Sequence, residues 1–182
     1  MLIIFVASLL LTTSVRAETE GRFEVARADS RIVAGTWLVD ALLSLSLDSD
    51  TQKALQNGVA LTLQLQYEIV RKRLIWTNEV VLKKQQKIEL RYLLLSQRYV
   101  VTYTDTNTQS SYATLYSALR QISQLRDYPL VPADQINDDE EYEVALRVVL
   151  VKEDLPGPLQ MLAFWRGDFS LESEWYRWTL KQ

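Results

Sequence analysis

Glu172 and Glu174 are the best-spaced pair of reactive side chains in this chain. On a strand, residues two apart point to the same side, and the strand rise puts such a pair roughly 7 Å apart. Glycoside hydrolases use paired carboxylates at about this separation, flanking a cleft. The plainer reading is the solvent face of a strand. The densest acidic run is Asp138, Asp139, Glu140 and Glu141, with Asp134 and Glu143 close by. It offers the oxygen ligands that calcium favours. It lacks the glycine and the alternating ligand spacing of an EF-hand loop, so a solvated loop is expected.

The residue types that are missing narrow the chemistry further. The sequence holds no histidine and no cysteine. Ser-His-Asp and Cys-His nucleophilic catalysis therefore have no base or thiol, and zinc has neither imidazole nor thiolate. The five glycines stand alone, and none builds a phosphate-cradling loop. The expectation is a protein without cofactor, structural metal or catalytic residues.

Recognition by contact remains open. Trp175, Tyr176 and Trp178 fall within the last eight residues, with Arg177 among them. On a strand Trp175 and Trp178 point to opposite faces, and Tyr176 shares a face with Trp178 and Leu180. Such rings either lock the last strand onto a core or form a ledge for a partner or a sugar ring. Basic residues gather at Arg71, Lys72 and Arg73 and again at Lys83, Lys84 and Lys87. Read as the two ends of a strand Leu74–Leu82, these groups lie roughly 30 Å apart. They fit turn and edge charges that discourage strand pairing; contact with anionic lipid is the sharper alternative.

Two-residue alternation supplies the elements that position these side chains. Val59–Val70 places Val59, Leu61, Leu63, Leu65, Tyr67 and Ile69 on one face, opposite mainly polar residues. Thr36–Leu47 and Tyr142–Val151 repeat the pattern. Further strands are expected at Arg22–Ala28, Leu74–Leu82, Lys87–Leu95, Tyr99–Thr104 and Phe169–Leu180. Two short helices are expected, at Ser49–Gly58, with Ser49 and Asp50 as N-cap candidates, and at Thr114–Leu125. Leu155-Pro-Gly-Pro158 ends strand pairing, and Leu159–Phe164 has the length of one helical turn. The fold expected is mainly β, an antiparallel β-sandwich of about eight strands with two short helices; an open β-barrel is the alternative.

The first 17 residues read as a signal peptide, with the apolar run LIIFVASLLL and small residues Val15 and Ala17 ahead of a cleavage point. A basic n-region is absent, and the run is too short to span a bilayer as a helix. Residues 18–182 then form a single β-rich domain. Its 19 basic and 23 acidic side chains give a net charge of −4 once Arg16 is removed, which argues against nucleic acid. With no cysteine for lipid attachment, no stable membrane span or acyl anchor is expected after cleavage.

Three stretches carry a family resemblance: EYEVALRVVLVKEDLPGPLQ, then Trp165, then LESEWYRW. With the signal segment and the Ala54-Leu55-x-x-Gly58 pattern, the chain resembles a proteobacterial family of secreted proteins, domain of unknown function 4390. The most specific matches are Arg147, Leu155-Pro156-x-Pro158-Leu159 and Leu171-x-Ser173-x-Trp175-x-x-Trp178. Members are often encoded near a nitrogen-regulation-type sensor kinase and its response regulator. The resemblance implies the periplasm of a Gram-negative bacterium and a link to envelope signalling, and it carries no catalytic residue. Residues expected to contact a ligand or partner are Arg147, Trp165, Trp175, Tyr176, Arg177 and Trp178. The function expected is a non-catalytic envelope module that binds a protein or small ligand, for which the resemblance implies an accessory place beside an envelope-sensing two-component system. A carbohydrate- or peptidoglycan-binding module with weak carboxylate-based hydrolase activity is the alternative.

Overall fold

The structure is a computed structural model that describes residues 21–73, 77–137, 139–151 and 171–180. The signal segment, Asp138, the Pro156/Pro158 turn, Leu159–Phe164 and Trp165 lie outside the described residues.

Alternation produces two antiparallel sheets. The small one has three strands in the order β1 (Arg22–Val33), β2 (Thr36–Ser46), β7 (Gln124–Pro132). The large one has six, in the order β6 (Thr108–Tyr112), β5 (Arg98–Tyr103), β4 (Glu79–Leu93), β3 (Leu61–Arg71), β8 (Tyr142–Leu150), β9 (Tyr176–Thr179). The chain crosses between layers through helix α1 (Ser49–Gln56), through helix α2 (Leu115–Ser123) and through a 3-10 turn at Ala133–Gln135. Neither sheet closes on itself, so the sandwich expectation holds and the barrel alternative does not.

The core lies where the two inner faces meet. Leu61, Leu63, Leu65, Tyr67 and Ile69 of β3 and Val144, Leu146 and Val148 of β8 are all buried to within 1 %. Opposite them, the small sheet contributes Phe23, Val25, Trp37, Val39, Leu43 and Tyr128. Tyr67 and Tyr128 stack across the gap, with ring centroids 4.6 Å apart and planes 12° from parallel. Because the small sheet is narrower, helix α2 packs its buried Ala118, Leu119 and Ile122 beside it.

Local sequence explains the turns and caps. The β1–β2 hairpin turns on Ala34 (φ 48°) and Gly35 (φ 75°), the left-handed pair that a two-residue hairpin of the right twist requires. Helix α1 is capped by Asp48, whose carboxylate accepts from the Asp50 and Thr51 N–H groups, so the cap lies one residue before the predicted candidates. Thr114 caps α2 by accepting from the Ser117 N–H. The free edges are blunted: β1 carries Arg22, Glu24, Arg27, Asp29 and Arg31 and a bulge at Val25/Arg27, and β7 carries Pro129 and Pro132.

Four expectations are corrected. Among the described residues, the strands predicted at Leu74–Leu82 and Lys87–Leu95 are replaced by one 15-residue strand, β4, because Lys83–Lys87 lacks turn residues and pairs without a break against Gln64–Glu68; residues 74–76 lie outside the described residues. The second helix ends at Ser123, so Leu125 belongs to β7 rather than to the helical stripe. Strands β6 and β7 were not expected: β6 is almost entirely polar, and a bulge in β7 puts Leu125, Tyr128 and Leu130 out of simple alternation. Of the strand predicted at Phe169–Leu180, the described residues form Tyr176–Thr179 with a single bridge from Glu172 to Val149, and residues 169 and 170 lie outside the described residues.

Burial raises the pKa of both stacked tyrosines, Tyr67 well above its ordinary value and Tyr128 to about 12. The folded state therefore favours the neutral phenols, and their contribution is complete below about pH 10, where unfolded tyrosine titrates. It is lost as pH rises through the folded values. Alkaline denaturation should show stability falling above about pH 10, with a shallower fall in Tyr128→Phe. An identical slope in that variant would contradict the buried position of the ring.

Candidate binding surfaces

The outer face of the large sheet collects most of the residues singled out from sequence. Arg147 lies on the solvent side of β8, the side opposite its buried neighbours Leu146 and Val148. The guanidinium lies 4.7 Å from the centroid of the Trp175 ring, within cation–π range. Its Nε donates to Gln66 Oε1 at 2.8 Å, and its Nη1 is 3.7 Å from the Glu172 carboxylate. The network continues across the sheet: Gln66 donates to Gln64, and Gln64 donates to Gln85 on β4. These four side chains hold one another in place, and three of them, Gln66, Gln85 and Arg147, line a groove of about 440 Å³. Glu68, Lys83 and Trp175 also line it.

The C-terminal aromatics divide between faces as the period-two spacing implies. Tyr176 pairs with Leu146 and Trp178 with Val144, on the inner side, where both are partly buried against the core. Trp178 Nε1 donates to Ser30 on β1 at 3.1 Å, which ties the last strand to the other sheet. Trp175 lies with Arg147 on the outer side and is half-buried. Arg177 is also outward and pairs with Glu143 at 3.1 Å. Glu172 and Glu174 are both exposed, with the buried Ser173 between them.

Register changes the picture of the charges. Lys83 and Lys84 lie in the body of β4, opposite Glu68 and Tyr67, so they are about 13 Å along the strand from the Arg71 end rather than 30 Å. Few of the cations are free. Arg71 is shared by Glu79 and Glu140, Arg73 also meets Glu79, Lys72 meets Glu143 and Lys83 meets Glu68. The acidic run takes part in the same lattice: Glu140 accepts from Arg71 and from the Tyr142 hydroxyl, the latter at 2.7 Å. Among the described residues no cluster of three or more acidic side chains could hold a metal ion. None of the helices among them is long and apolar enough to cross a membrane.

A second concavity, absent from the sequence reading, opens between the layers beside the tyrosine stack. It encloses about 730 Å³ and is lined by β4, the β5–β6 turn, the end of α2 and β7. Lys84 and Gln86 point into it from the inner face of β4, on the same side as Ile88 and Leu90. The Lys84 ammonium donates to the Pro129 and Leu130 carbonyls and lies 5.1 Å from the centroid of the Tyr128 ring. Burial lowers its pKa. Gln86 Nε2 donates to Asp105 at 3.2 Å, but the buried Gln86 Oε1 has no partner, and neither has the Tyr67 hydroxyl. One signal for this site was legible. Had residues 79–93 been read as a single strand, Lys84 and Gln86 would have stood out as polar residues on an apolar face.

The Arg71 cluster gives a pH test. Glu79 is held below its ordinary 4.5 chiefly by the Arg71 hydrogen bond, and Glu140 by Tyr142 and then Arg71. Depressed carboxylate values stabilise the fold above the unfolded pKa, and this contribution is lost as pH falls through the folded values. Wild-type stability should therefore drop below about pH 4.5, with a shallower acid limb in Arg71→Gln. Parallel acid limbs would count against the cluster.

No curated protein and no solved structure matches the chain. The sequence pattern of the family described as domain of unknown function (DUF4390) matches residues 20–179, nearly the whole described fold. The chain belongs to that family.

Proposed function

We propose that the protein is a non-catalytic, exported envelope component that binds another protein through the groove beside Arg147 and Trp175. The observation that carries this reading is the half-buried Trp175 against the Arg147 guanidinium, itself fixed by Gln66 and Glu172. Tryptophan and arginine dominate the energetic centres of protein interfaces, and preorganised side chains lose less entropy on binding. Support for a non-enzymatic role comes from the missing histidine and cysteine. Support for export comes from the N-terminal apolar run and its small residues before the cleavage point. An accessory place in envelope-sensing two-component signalling rests on the family resemblance alone.

Site-specific photo-crosslinking in cells tests the groove. A crosslinker at Gln85, on the groove floor, should give a discrete protein adduct, whereas one at the exposed Glu24 on the opposite sheet should not. Arg147→Ala should reduce the Gln85 adduct at least about tenfold, the usual scale for an interface arginine. An adduct that persists without Arg147, or none at all, would remove this reading.

A further inference from the structure

We infer that the cleft between the layers, beside Tyr67 and Gln86, is a second binding site that takes a small, uncharged, hydroxyl-rich ring of the saccharide class. Tyr67 and Lys84 also border the outer groove, but the inference turns on Gln86, which lines the cleft alone.

Two buried polar atoms lack partners, one on Gln86, which lines the cleft, and one on Tyr67, which stacks on the lining residue Tyr128. Gln86 is 6 % exposed and Tyr67 is 1 % exposed, yet Gln86 Oε1 and the Tyr67 hydroxyl have no protein hydrogen bond. The titratable neighbours of the Tyr67 hydroxyl are Tyr128, Asp105 and Tyr103, three of the residues that line the cleft. A buried polar group without a partner is costly, so these atoms call for a ligand that brings hydrogen-bond donors. A purely apolar ligand would leave both atoms unsatisfied.

Charge excludes two further classes. The charged lining residues are Lys84, Arg126, Asp105 and Asp127, which balance to zero. An anion would look to Lys84 or Arg126, but the Lys84 ammonium is already engaged by two backbone carbonyls, and the Asp105 and Asp127 carboxylates line the same cleft. An organic cation would look to an aromatic face, but one face of Tyr128 stacks on Tyr67 and Lys84 lies over the same ring. A neutral ligand meets neither obstacle. The remaining walls, Tyr103, Leu125 and Pro129, are apolar in their larger part and suit the C–H face of a sugar ring. Donor hydroxyls on the ring's rim would then reach Gln86 Oε1 and the Tyr67 hydroxyl.

The test is an NMR titration of the purified protein with glucose and N-acetylglucosamine, with glycine and inorganic phosphate as the zwitterionic and anionic comparisons. A saccharide should shift the Gln86 side-chain amide and the Tyr128 ring signals. Gln86→Leu should weaken that binding by about tenfold, the equivalent of one well-made hydrogen bond. Tyr67→Phe should weaken it too without lowering the thermal midpoint, since in the free protein the hydroxyl it removes has no partner. Arg147→Ala should leave it unchanged, which separates this site from the outer groove. The inference is overturned if neither sugar shifts these signals at about 10 mM, where even a site with Kd about 1 mM is mostly filled. It is also overturned if glycine or phosphate binds there instead, if the two atoms hold ordered water only, or if Gln86→Leu binds as wild type does.

Discussion

The stack of Tyr67 on Tyr128 is the contact on which the arrangement of the two layers depends. It joins the central strand of the wide sheet to the outermost strand of the narrow one. Strand β7 is also held by its pairing with β2, by the Lys84 bonds to its Pro129 and Leu130 carbonyls and by the burial of Leu130 and Val131. It carries two prolines, pairs on one side only and contains a bulge in which Asp127 takes a left-handed conformation at φ 54°. That conformation is held by Asp40, which accepts from the Asp127 N–H, and by Arg31, which bridges both carboxylates. The bulge turns Tyr128 inward, and the ring then finds Tyr67. A flat aromatic pair joins the sheets without filling the space beside it, so the same contact leaves the interlayer cleft open.

Two surfaces of different character result. The outer face of the large sheet is a polar ladder in which each side chain braces the next, ending in a guanidinium against an indole. Such a face suits the broad, shallow contact of a protein partner. The interlayer cleft is a hollow of about 730 Å³ whose wall residue Gln86 carries an unpaired acceptor, which suits a small molecule. Most other charges are spent on one another in ion pairs at the Arg71 end of β3 and on the outer face of the small sheet. This explains why the basic clusters evident in the sequence do not form a cationic patch.

The legible part of the fold was the part with strict alternation. Strands β2, β3 and β8 are buried on one face along their length, so apolar residues recur at every second position. Helices α1 and α2 announced themselves through capping residues and helical spacing. The split of Trp175 from Tyr176 and Trp178 also followed from spacing. The rest was hidden for identifiable reasons. Strand β6 is an edge with no apolar face, and the bulge and prolines of β7 break its period. The KKQQK stretch of β4 looked like a break between strands because Lys84 and Gln86 replace apolar residues on its inner face. These same irregular elements build the cleft, so what concealed the strands also concealed the site.

A double-mutant cycle across the sheets tests this most directly. Unfolding free energies of wild type, Tyr67→Leu, Tyr128→Leu and the double variant give the coupling between the two rings, free of each residue's own burial. A stacked pair should show about 0.5–1.5 kcal/mol of coupling beyond simple burial. Strictly additive losses would mean that the rings do not meet, and that β7 lies elsewhere.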